Sequence, residues 1–505
     1  MKLLWMTRVS DLRHVGIRSF STAAKRQAIN KIVASAQEAI KDMKSSTTLL
    51  VGGFGFSGVP DTLINALRDR KDLKDFTVVS NNAGMPGVGL GQLLESKQIS
   101  KMIASYVGEN KTFERMYISG ELCLELTPQG TMAEKCAAGA AGVPAFYTPA
   151  AYGTIVQTGE LPLKHNSDGS VAVMSKPKET RIFNNKEYVM EESIMGDYAF
   201  VRVHKADRLG NCQFRKAQNN FNEAMGKNAA FTIVEADQIV EVGEIAPEDI
   251  HIPGIYVKKV IQAREKKGIE KLTFDKEGNK ESLVSESDKR RLRIIKRAAK
   301  ELKDGMYVNL GIGIPLATPA YLEPGVEVIL QSENGILGMG RHPKPGEEDP
   351  DLINPGKETV TLNRGASLFG SHESFGMIRS GRINLTMLGA LQVSRYGDLA
   401  NFMLPGKVKG IGGAMDLVAN PTKTKVVITM EHVDKKGNPK ILDVCSFPLT
   451  GRQCVSTIIT DLAVFDVDFV EGLTLVEIAE DTTVEVVEKN TKAPFKVSEN
   501  LKTFV

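Results

Sequence analysis

The sequence has few of the residues from which metal centres and disulfide frameworks are built. Its 505 residues include five cysteines and seven histidines, with no CxxC and no HxxxH spacing. An odd, dispersed set of cysteines fits a reducing compartment and argues against both a zinc site and a disulfide framework. We therefore expect no metal ion, and each cysteine is most simply explained as a small buried apolar residue.

Two further absences limit the possible partners. No run of roughly 18 or more apolar residues occurs, so the sequence predicts no membrane span. The formal net charge is +3, and residues 1–21 account for all of it, since four basic residues there face a single acid. The rest of the chain carries no net charge, which gives no electrostatic case for a nucleic-acid or membrane partner.

Residues 1–21 have the composition of a mitochondrial presequence. Three arginines are spaced over residues 8–18, serines follow them, and no acid other than Asp11 occurs before Glu38. Presequences are rich in arginine and serine and poor in acids. We therefore predict that residues 1–21 are a transit peptide and that the mature chain resides in the mitochondrial matrix.

The remaining sequence has the composition of a large globular protein. The whole chain is 42% hydrophobic and 25% charged. Its length predicts more than one domain. Residues 263–289 are charged and poor in apolar side chains, so this segment contributes little to a core and is interpreted as a linker. We predict an N-terminal domain over residues 22–262 and a C-terminal domain over residues 290–505.

The segments on the two sides of the linker resemble each other. Residues 29–40 and 292–302 both carry apolar side chains at helical spacing. A strand follows each predicted helix, at residues 48–51 and at residues 306–310, and each strand leads into a glycine-rich turn that ends in proline. Proline suits the first turn of a following helix.

Two later strands extend this correspondence. Residues 230–235 and residues 425–431 are similar apolar strands that end in glutamate. Ordered similarities of this kind indicate a duplicated α/β architecture. We predict two structurally similar open α/β domains with largely parallel sheets, joined by the charged linker, with a cleft between them as the natural ligand site.

One acid stands out in the second half. Glu333 follows the apolar run 326–330 and precedes Asn334-Gly335, which tolerates positive φ at little cost. Open α/β sheets place chemistry at the carboxyl ends of strands. A carboxylate in that position can attack an activated acyl group and form a covalent intermediate. An ordinary acidic turn residue is the alternative interpretation of the same local sequence.

Two neutral amides are candidates for holding that carboxylate. Asn81 follows the predicted strand 76–80, and Gln129 is a polar residue beside an apolar, glycine-rich segment. Side-chain amides bind a carboxylate through hydrogen bonds without adding charge. Capping of an ordinary turn explains them equally well.

Two further segments are candidates for binding charge. Residues 410–416 form a glycine-rich loop in which Gly412 and Gly413 are able to offer N–H groups to an oxyanion, or simply to form a tight turn. The proline-rich loop 341–357 follows Glu333 closely and suits a lid or rim. Its last residue, Lys357, is a candidate phosphate contact, although a solvated lysine is the commoner outcome.

Residues 53–58 match the GxGxxG pattern between a strand and a helix, as a dinucleotide-binding loop requires. The acid expected at the end of the next strand is replaced by Asn81-Asn82. An NAD-dependent dehydrogenase is therefore kept only as an alternative. The other interpretation is a tight loop that offers backbone N–H groups to an anion or a carbonyl.

Together these motifs resemble a known family. Ser332-Glu333-Asn334-Gly335, with Gly338, resembles the active-site signature of family I coenzyme A transferases. Gly52-Gly53-Phe54-Gly55, with Gly58 and Pro60, resembles the second signature of that family. The resemblance covers about residues 25–500, and the two signatures in this order are far more specific than either alone.

The resemblance implies a ping-pong transfer of coenzyme A from succinyl-CoA to acetoacetate, as in ketone body catabolism. Glu333 would form a succinyl-glutamyl anhydride and then a Glu333–CoA thioester, releasing succinate. Acetoacetate would reverse these steps and leave as acetoacetyl-CoA. No resident cofactor is implied, because coenzyme A is a substrate carried covalently on Glu333.

The resemblance also implies roles for other residues and a homodimeric assembly. Asn81 and Gln129 would orient Glu333, and Gly412 or Gly413 would offer an N–H group to the oxyanion. The implied coenzyme A contacts are Gly311, Gly313 and Lys357. A CoA-thioester hydrolase on the same fold is the main alternative, since water would complete the turnover after identical acylation of Glu333.

Overall fold

Two large β-sheets organise the chain. The computed structural model describes residues 29–108, 110–275, 285–404, 407–408 and 410–505, and residues 31–505 form one compact unit. Both sheets are built around parallel strands, which confirms the predicted α/β class. The predicted transit peptide lies outside the described residues, and the boundaries at 262 and 290 stay predictions. No helix in the described ranges is long and apolar enough to cross a membrane.

The first sheet contains seven parallel strands and one short antiparallel strand. In spatial order the parallel strands are Val257–Gln262, Phe231–Val240, Tyr198–Asp207, Thr48–Val51, Phe76–Val79, Ile99–Ala104 and Cys123–Leu126. The short strand Cys212–Gln213 pairs with Tyr198–Asp207. Thr48–Val51 and Phe76–Val79 are buried along most of their length. Such burial is expected of parallel strands, whose two faces are both covered.

The second sheet contains ten strands. In spatial order they are Leu362–Leu368, Ile336–Met339, Ile329–Ser332, Tyr307–Leu310, Leu385–Leu388, Lys425–Thr429, Thr457–Ile459, Ala463–Asp468, Gly472–Ala479 and Phe495–Phe504. The five strands from Ile329–Ser332 to Thr457–Ile459 are mutually parallel. Antiparallel strands extend this parallel centre on both sides, and the last strand lies parallel to its neighbour.

The two sheets repeat one arrangement around a central strand. The first strand of each sheet, Thr48–Val51 or Tyr307–Leu310, ends at a glycine that donates its N–H to the neighbouring strand. Gly52 donates to Phe200 O at 3.1 Å, and Gly311 donates to Met387 O at 2.8 Å. Gly52 and Gly311 are therefore equivalent positions, as the sequence similarity predicts.

The strands on the other side of these central strands keep the same register. Val79 and Gln331 are paired with the residues that stand two positions before the two glycines. Two positions further along the chain lie Asn81 and Glu333. The two residues consequently occupy equivalent turns in the two halves of the molecule.

Helices connect the strands. The α-helices in the described ranges are Ala36–Ile40, Asp61–Asp69, Gly91–Glu95, Lys111–Ile118, Gln129–Ala140, Ile155–Thr158, Asn222–Asn228, Glu286–Ala299, Ile314–Ala317, Ser371–Arg379, Ala414–Leu417 and Val484–Asn490. The 3-10 helices are Lys216–Gln218, Pro247–Asp249, Gly254–Tyr256 and Thr318–Tyr321. The predicted helix 292–302 corresponds to Glu286–Ala299.

The predicted helix 29–40 is shorter than its apolar pattern indicates. Ser35 is the N-cap, because its side chain accepts the Glu38 N–H at 3.1 Å, and the helix runs only over Ala36–Ile40. Ile32 instead forms a parallel bridge with Val260, at the edge of the first sheet. The local cap and strand pairing together override the helical periodicity of residues 29–35.

Four small sheets complete the structure within the described ranges. They pair Pro162–His165 with Val171–Met174, Ala145–Thr148 and Thr180–Phe183 with Lys186–Glu192, Leu399–Ala400 and Ile441–Leu442 with Gln392–Ser394, and Met403–Leu404 with Lys407–Val408.

Two helices join the halves of the molecule. Gln129–Ala140 and Ser371–Arg379 share one hydrophobic core, to which they contribute Met132 and Phe375 among others. Arg379 also donates to Glu134 Oε2 across this contact at 2.7 Å. The packing places the beginning of the first helix next to the strand ends of the second sheet.

Candidate active site

Glu333 lies in a tight turn between Ile329–Ser332 and Ile336–Met339. The turn needs a glycine at Gly335, where φ is +96° and an added methyl group would lie 1.8 Å from Phe369 O. Asn334 anchors the same turn by donating to Ile353 O at 2.8 Å. The predicted arrangement of strand, carboxylate and turn is therefore present.

A cavity of about 370 Å³ opens beside Glu333. Most of the predicted site residues line it, although they are far apart in sequence. They are Asn81, Gln129, Gly311, Glu333, Lys357, Gly412 and Gly413. Gly313 lies outside this lining and instead precedes the short helix Ile314–Ala317 with a φ of +93°.

The Glu333 carboxyl group is nearly buried, with 7% of the residue exposed. Burial raises its pKa to about 7, the Asp416 carboxylate contributes to the rise, and the Asn309 amide and the Glu333 backbone N–H oppose it. Oε2 has no hydrogen-bond partner among the described residues. An unblocked carboxylate that ionises near neutral pH suits a nucleophile.

The raised pKa of Glu333 predicts how the acylation that the family resemblance implies should depend on pH. A carboxyl group is protonated below its pKa, so the rate of covalent adduct formation should fall as the pH drops through about 7. Well below that pH, the rate should fall about tenfold per pH unit. Single-turnover mixing with acetoacetyl-CoA at a series of pH values measures this fall in rate, which we call the pH limb. A limb centred near 4.5, the ordinary value for glutamate, would contradict the environment described for Glu333.

The Asn81 side chain is held by two hydrogen bonds. Its Oδ1 accepts from Gln129 Nε2 and from Ser105 Oγ, both at 2.7 Å. This pairing makes Oδ1 the acceptor and leaves Nδ2 as a donor that bonds to none of the described residues. The cavity wall therefore offers a preorganised neutral donor on the side that belongs to the first half.

Gly412 and Gly413 differ in what their N–H groups do. The Gly412 N–H donates to Ser105 O at 2.9 Å, and its carbonyl accepts from Gln129 N at 2.9 Å. The Gly413 N–H, at the start of helix Ala414–Leu417, bonds to no described residue. Unbonded N–H groups at a helix start are suited to a negatively charged oxygen.

Gly413 also stands directly against the carboxylate. A methyl group on Gly413 would lie 3.2 Å from Glu333 Oε1 and 3.3 Å from Gln129 Oε1, whereas a methyl group on Gly412 would meet nothing within 4 Å. The geometry thus distinguishes two glycines that the sequence leaves equivalent.

Lys357 lines the cavity but is not a free cation. Its Nζ lies 2.8 Å from Glu270 Oε1 and 5.8 Å from the centre of the Tyr106 ring. Glu270 and Lys271 belong to the segment predicted as a linker, and both residues line the cavity. Part of that charged segment therefore forms a wall of the site beside the loop 341–357.

Two buried polar residues near Glu333 were not predicted to belong to the site. Asn309 is fully buried in Tyr307–Leu310 and donates to Gln331 Oε1 at 2.6 Å. Asp416 is fully buried next to the glycine-rich loop. The sequence did contain a signal for each residue: Asn309 is an amide inside an apolar strand, and Asp416 is an acid beside a predicted oxyanion loop. Buried polar groups require partners, so both residues could have been considered for the site.

Packing explains two glycines of the glycine-rich loop at residues 52–58. Asn222 donates to Gly58 O at 3.0 Å, and methyl groups on Gly52 and Gly58 would lie within 2.4 Å of its side chain. The loop closes on Asn222 of the helix Asn222–Asn228, so packing alone requires a glycine at Gly52 and at Gly58, whether or not a nucleotide binds.

Comparisons with known proteins match most of the chain. The sequence pattern of the coenzyme A transferase family matches residues 33–263 and 291–490. The human protein named succinyl-CoA:3-ketoacid coenzyme A transferase 2, mitochondrial, is 51% identical over 96% of this chain and 93% of its own length. A Bacillus subtilis protein, named as one probable subunit of a succinyl-CoA:3-ketoacid coenzyme A transferase, is 55% identical over 42% of this chain and 97% of its own length.

A solved structure supports the fold. The apoenzyme of an acyl-CoA transferase from Escherichia coli O157:H7, YdiF, has a TM-score of 0.75 and 20% sequence identity. The match covers 95% of this chain and 96% of that chain. At this identity the likeness concerns the architecture of the two sheets, in agreement with the predicted fold class.

Proposed function

The chain belongs to the coenzyme A transferase family, and we propose that it moves coenzyme A from succinyl-CoA to acetoacetate, a 3-keto acid. The observation that carries the proposal is the nearly buried Glu333 carboxylate, with one unpartnered oxygen, at a strand end in the cavity wall. The choice of substrates rests on the relative named succinyl-CoA:3-ketoacid coenzyme A transferase.

The first half-reaction transfers coenzyme A to Glu333. The carboxylate attacks the thioester carbonyl of succinyl-CoA, the C–S bond breaks, and the thiolate leaves a succinyl-glutamyl anhydride. The thiolate then attacks the glutamyl carbonyl of that anhydride. Succinate departs, and coenzyme A remains bound to Glu333 as a thioester.

The second half-reaction runs the same chemistry in reverse. The acetoacetate carboxylate attacks the Glu333 thioester and displaces the thiolate, which gives an acetoacetyl-glutamyl anhydride. The thiolate attacks the acetoacetyl carbonyl, acetoacetyl-CoA forms, and the Glu333 carboxylate is restored. No proton is gained or lost, so the mechanism uses no general base and no resident cofactor, and coenzyme A is a substrate.

The surrounding residues have proposed roles in each step. The Gly413 N–H stabilises the oxyanion, and Asn81 and Gln129 orient Glu333 as neutral partners. A cation in their place would stabilise the carboxylate and weaken it as a nucleophile. Gly311 and Lys357 are proposed to contact coenzyme A from the cavity wall, and Lys357 would exchange Glu270 for a phosphate. Gly313, which lies outside the cavity lining, is also proposed to contact coenzyme A.

Mass spectrometry after mixing the protein with acetoacetyl-CoA and no acceptor tests the proposal. We expect a coenzyme A adduct on the peptide that contains Glu333, because the first half-reaction needs no second acid. Added succinate should release the adduct as succinyl-CoA. Slow loss of the adduct to water without succinate, and no faster loss with it, would support the hydrolase instead. Unconsumed substrate without an adduct would contradict both.

The wider setting is also proposed from the family resemblance. The chain is expected to act in ketone body catabolism as a homodimer in the mitochondrial matrix. Exposed apolar side chains cluster between residues 143 and 195, including Val173, Met174 and Ile182, and favour a protein partner. Light scattering after gel filtration measures the mass in solution, and the mass of a monomer would contradict the dimer. Import into mitochondria of a chain that lacks residues 1–21 would contradict the transit peptide.

A further inference from the structure

Asp416 is a buried acid that the proposed transfer does not use. It lies on the short helix Ala414–Leu417, and its Oδ2 accepts the Gly130 N–H at 2.9 Å. The Thr131 N–H also stabilises the carboxylate. Asp416 thus stands at the N-terminus of the helix Gln129–Ala140, where free N–H groups and the helix dipole favour a negative charge.

A second hydrogen bond joins the same two segments, and its donor again lies at the start of the helix Gln129–Ala140. Gln129 N donates to Gly412 O at 2.9 Å, next to the contact between Gly130 and Asp416. A methyl group on Gly130 would lie 2.5 Å from Asp416 Oδ1, so the approach requires a glycine. The two bonds join the Gln129 backbone to the turn that carries Gly413.

Both segments that this pair of bonds joins are in contact with the site. A methyl group on Gly413 would lie 3.2 Å from Glu333 Oε1 and 3.3 Å from Gln129 Oε1, so both side chains approach this glycine. A shift of the helix Gln129–Ala140 relative to residues 412–416 would therefore displace Gln129, Gly413 or both from Glu333. Small displacements at a reacting centre are costly, at about 10²-fold in rate for about 1 Å.

The charge of Asp416 is only partly balanced. Arg379 Nη1 lies 3.6 Å from Asp416 Oδ1, and neither atom has a hydrogen-bond partner among the described residues. The other arm of Arg379 donates to Glu134. Among the charged groups of the neighbouring elements, Arg379 pairs with Asp416 and Glu333 is affected by its charge, whereas Glu134 is linked to Asp416 only through Arg379. Burial raises the pKa of Asp416 to about 6, and its charge raises that of Glu333.

We propose that Asp416 is a positioning residue for the transfer, which fixes Gln129 and Gly413 at the Glu333 site and places its own negative charge near the Glu333 carboxylate. The inference rests on the proposed function. Its two parts are separable, because the hydrogen bond depends on an acceptor oxygen whereas the effect on basicity depends on charge.

Asp416→Asn tests the charge. The amide oxygen still accepts the Gly130 N–H, so the hydrogen bond between the two segments is retained while the charge is removed. We expect the pH limb of adduct formation to move to lower pH, because the pKa of Glu333 falls when a neighbouring negative charge is lost. Above the limb we expect kcat to fall severalfold, with KM for acetoacetyl-CoA unchanged, since a less basic carboxylate is a weaker nucleophile.

Asp461→Asn is a matched control. Asp461 is also a nearly buried aspartate that accepts a backbone N–H, from His432 at 2.8 Å, with an arginine nitrogen 3.8 Å away. It does not line the cavity. A purely structural role for Asp416 predicts that both variants lower the melting temperature and that neither moves the pH limb.

Asp416→Ala, alone and combined with Gln129→Ala, tests the hydrogen bond between Gly130 and Asp416. We expect Asp416→Ala to lower kcat by about 10- to 100-fold. The double variant should lose little more, because both changes remove the Gln129 side chain from its place beside Gly413. Additive losses, or a pH limb for Asp416→Asn that superimposes on the unmodified protein, would overturn the inference. If the unmodified protein forms no adduct, the proposed function fails as well, whereas a normal adduct with an unmoved limb removes this inference alone.

Discussion

Glu333→Gln is expected to abolish coenzyme A transfer while leaving the chain folded. Glutamine keeps the length and shape of the side chain, but its amide cannot attack a thioester. Loss of a nucleophile costs about 10⁴-fold or more when no other group replaces it. Turnover with succinyl-CoA and acetoacetate measures the loss, and intact mass after mixing with acetoacetyl-CoA should show no adduct.

Although Glu333→Gln is expected to lose activity, its stability should not fall. The pKa of Glu333 is raised from 4.5 to about 7 in the folded chain, so the folded state favours the protonated form. A carboxyl group of this kind supports stability below about 4.5 and loses that contribution as the pH rises to about 7. Glutamine never ionises, so the melting temperature of Glu333→Gln at pH 8 should equal or exceed that of the unmodified protein.

Glu333→Asp provides the matched comparison. It keeps the carboxylate and withdraws it by one methylene, so an adduct should still form, at about 10²-fold lower rate. Transfer by carefully purified Glu333→Gln at more than a small fraction of the Glu333→Asp rate would show that another group is the nucleophile. A collapsed melting transition for both variants would instead assign Glu333 a structural role.

Gly413→Ala is expected to have the second largest effect. The backbone at Gly413 has a φ of −83°, which alanine adopts without strain. The added methyl group, however, would lie 3.2 Å from Glu333 Oε1 and 3.2 Å from the Phe375 ring. Displacing the carboxylate from the only N–H that we assign to the oxyanion should lower kcat by about 10²–10³-fold.

Gly412→Ala separates this steric effect from a backbone effect. Gly412 has a φ of +56°, so alanine there is strained by about 1 kcal/mol, yet its methyl group meets nothing within 4 Å. We expect a lower melting temperature and a much smaller loss of kcat than for Gly413→Ala. Equal losses of kcat, measured with both substrates saturating, would contradict the assignment of the oxyanion contact to Gly413.

The fold was predictable because its signals are local. Apolar strands that end in glycine-rich turns occur in both halves, and the parallel centres of the two sheets follow them. Helix limits were less predictable, since Ser35 caps a helix whose apolar periodicity begins several residues earlier. Short-range capping and long-range pairing with Val260 decide that boundary, and periodicity alone contains neither.

The candidate site was predictable where a residue type suggests its own chemistry. Glu333 and Asn81 stand at strand ends, where open sheets place functional groups. Asp416 was not predictable, because its burial depends on Gly130, which lies 286 positions away in the sequence. The glycine pairs illustrate the same limit, since only the fold shows that Gly311 lines the cavity whereas Gly313 does not.

The equivalent turns that carry Asn81 and Glu333 have a consequence for the ratio in which the two halves must be made. Two copies of the second half would bring two like-charged carboxylates to one cavity, which disfavours ionisation of both. Two copies of the first half would lack the proposed nucleophile. A working cavity therefore requires unlike halves in equal numbers. Two halves made as separate chains would have to be synthesised in equal amounts and then to associate. In this chain, one translation event fixes the ratio, and the covalent link sets a local concentration that dilution does not change.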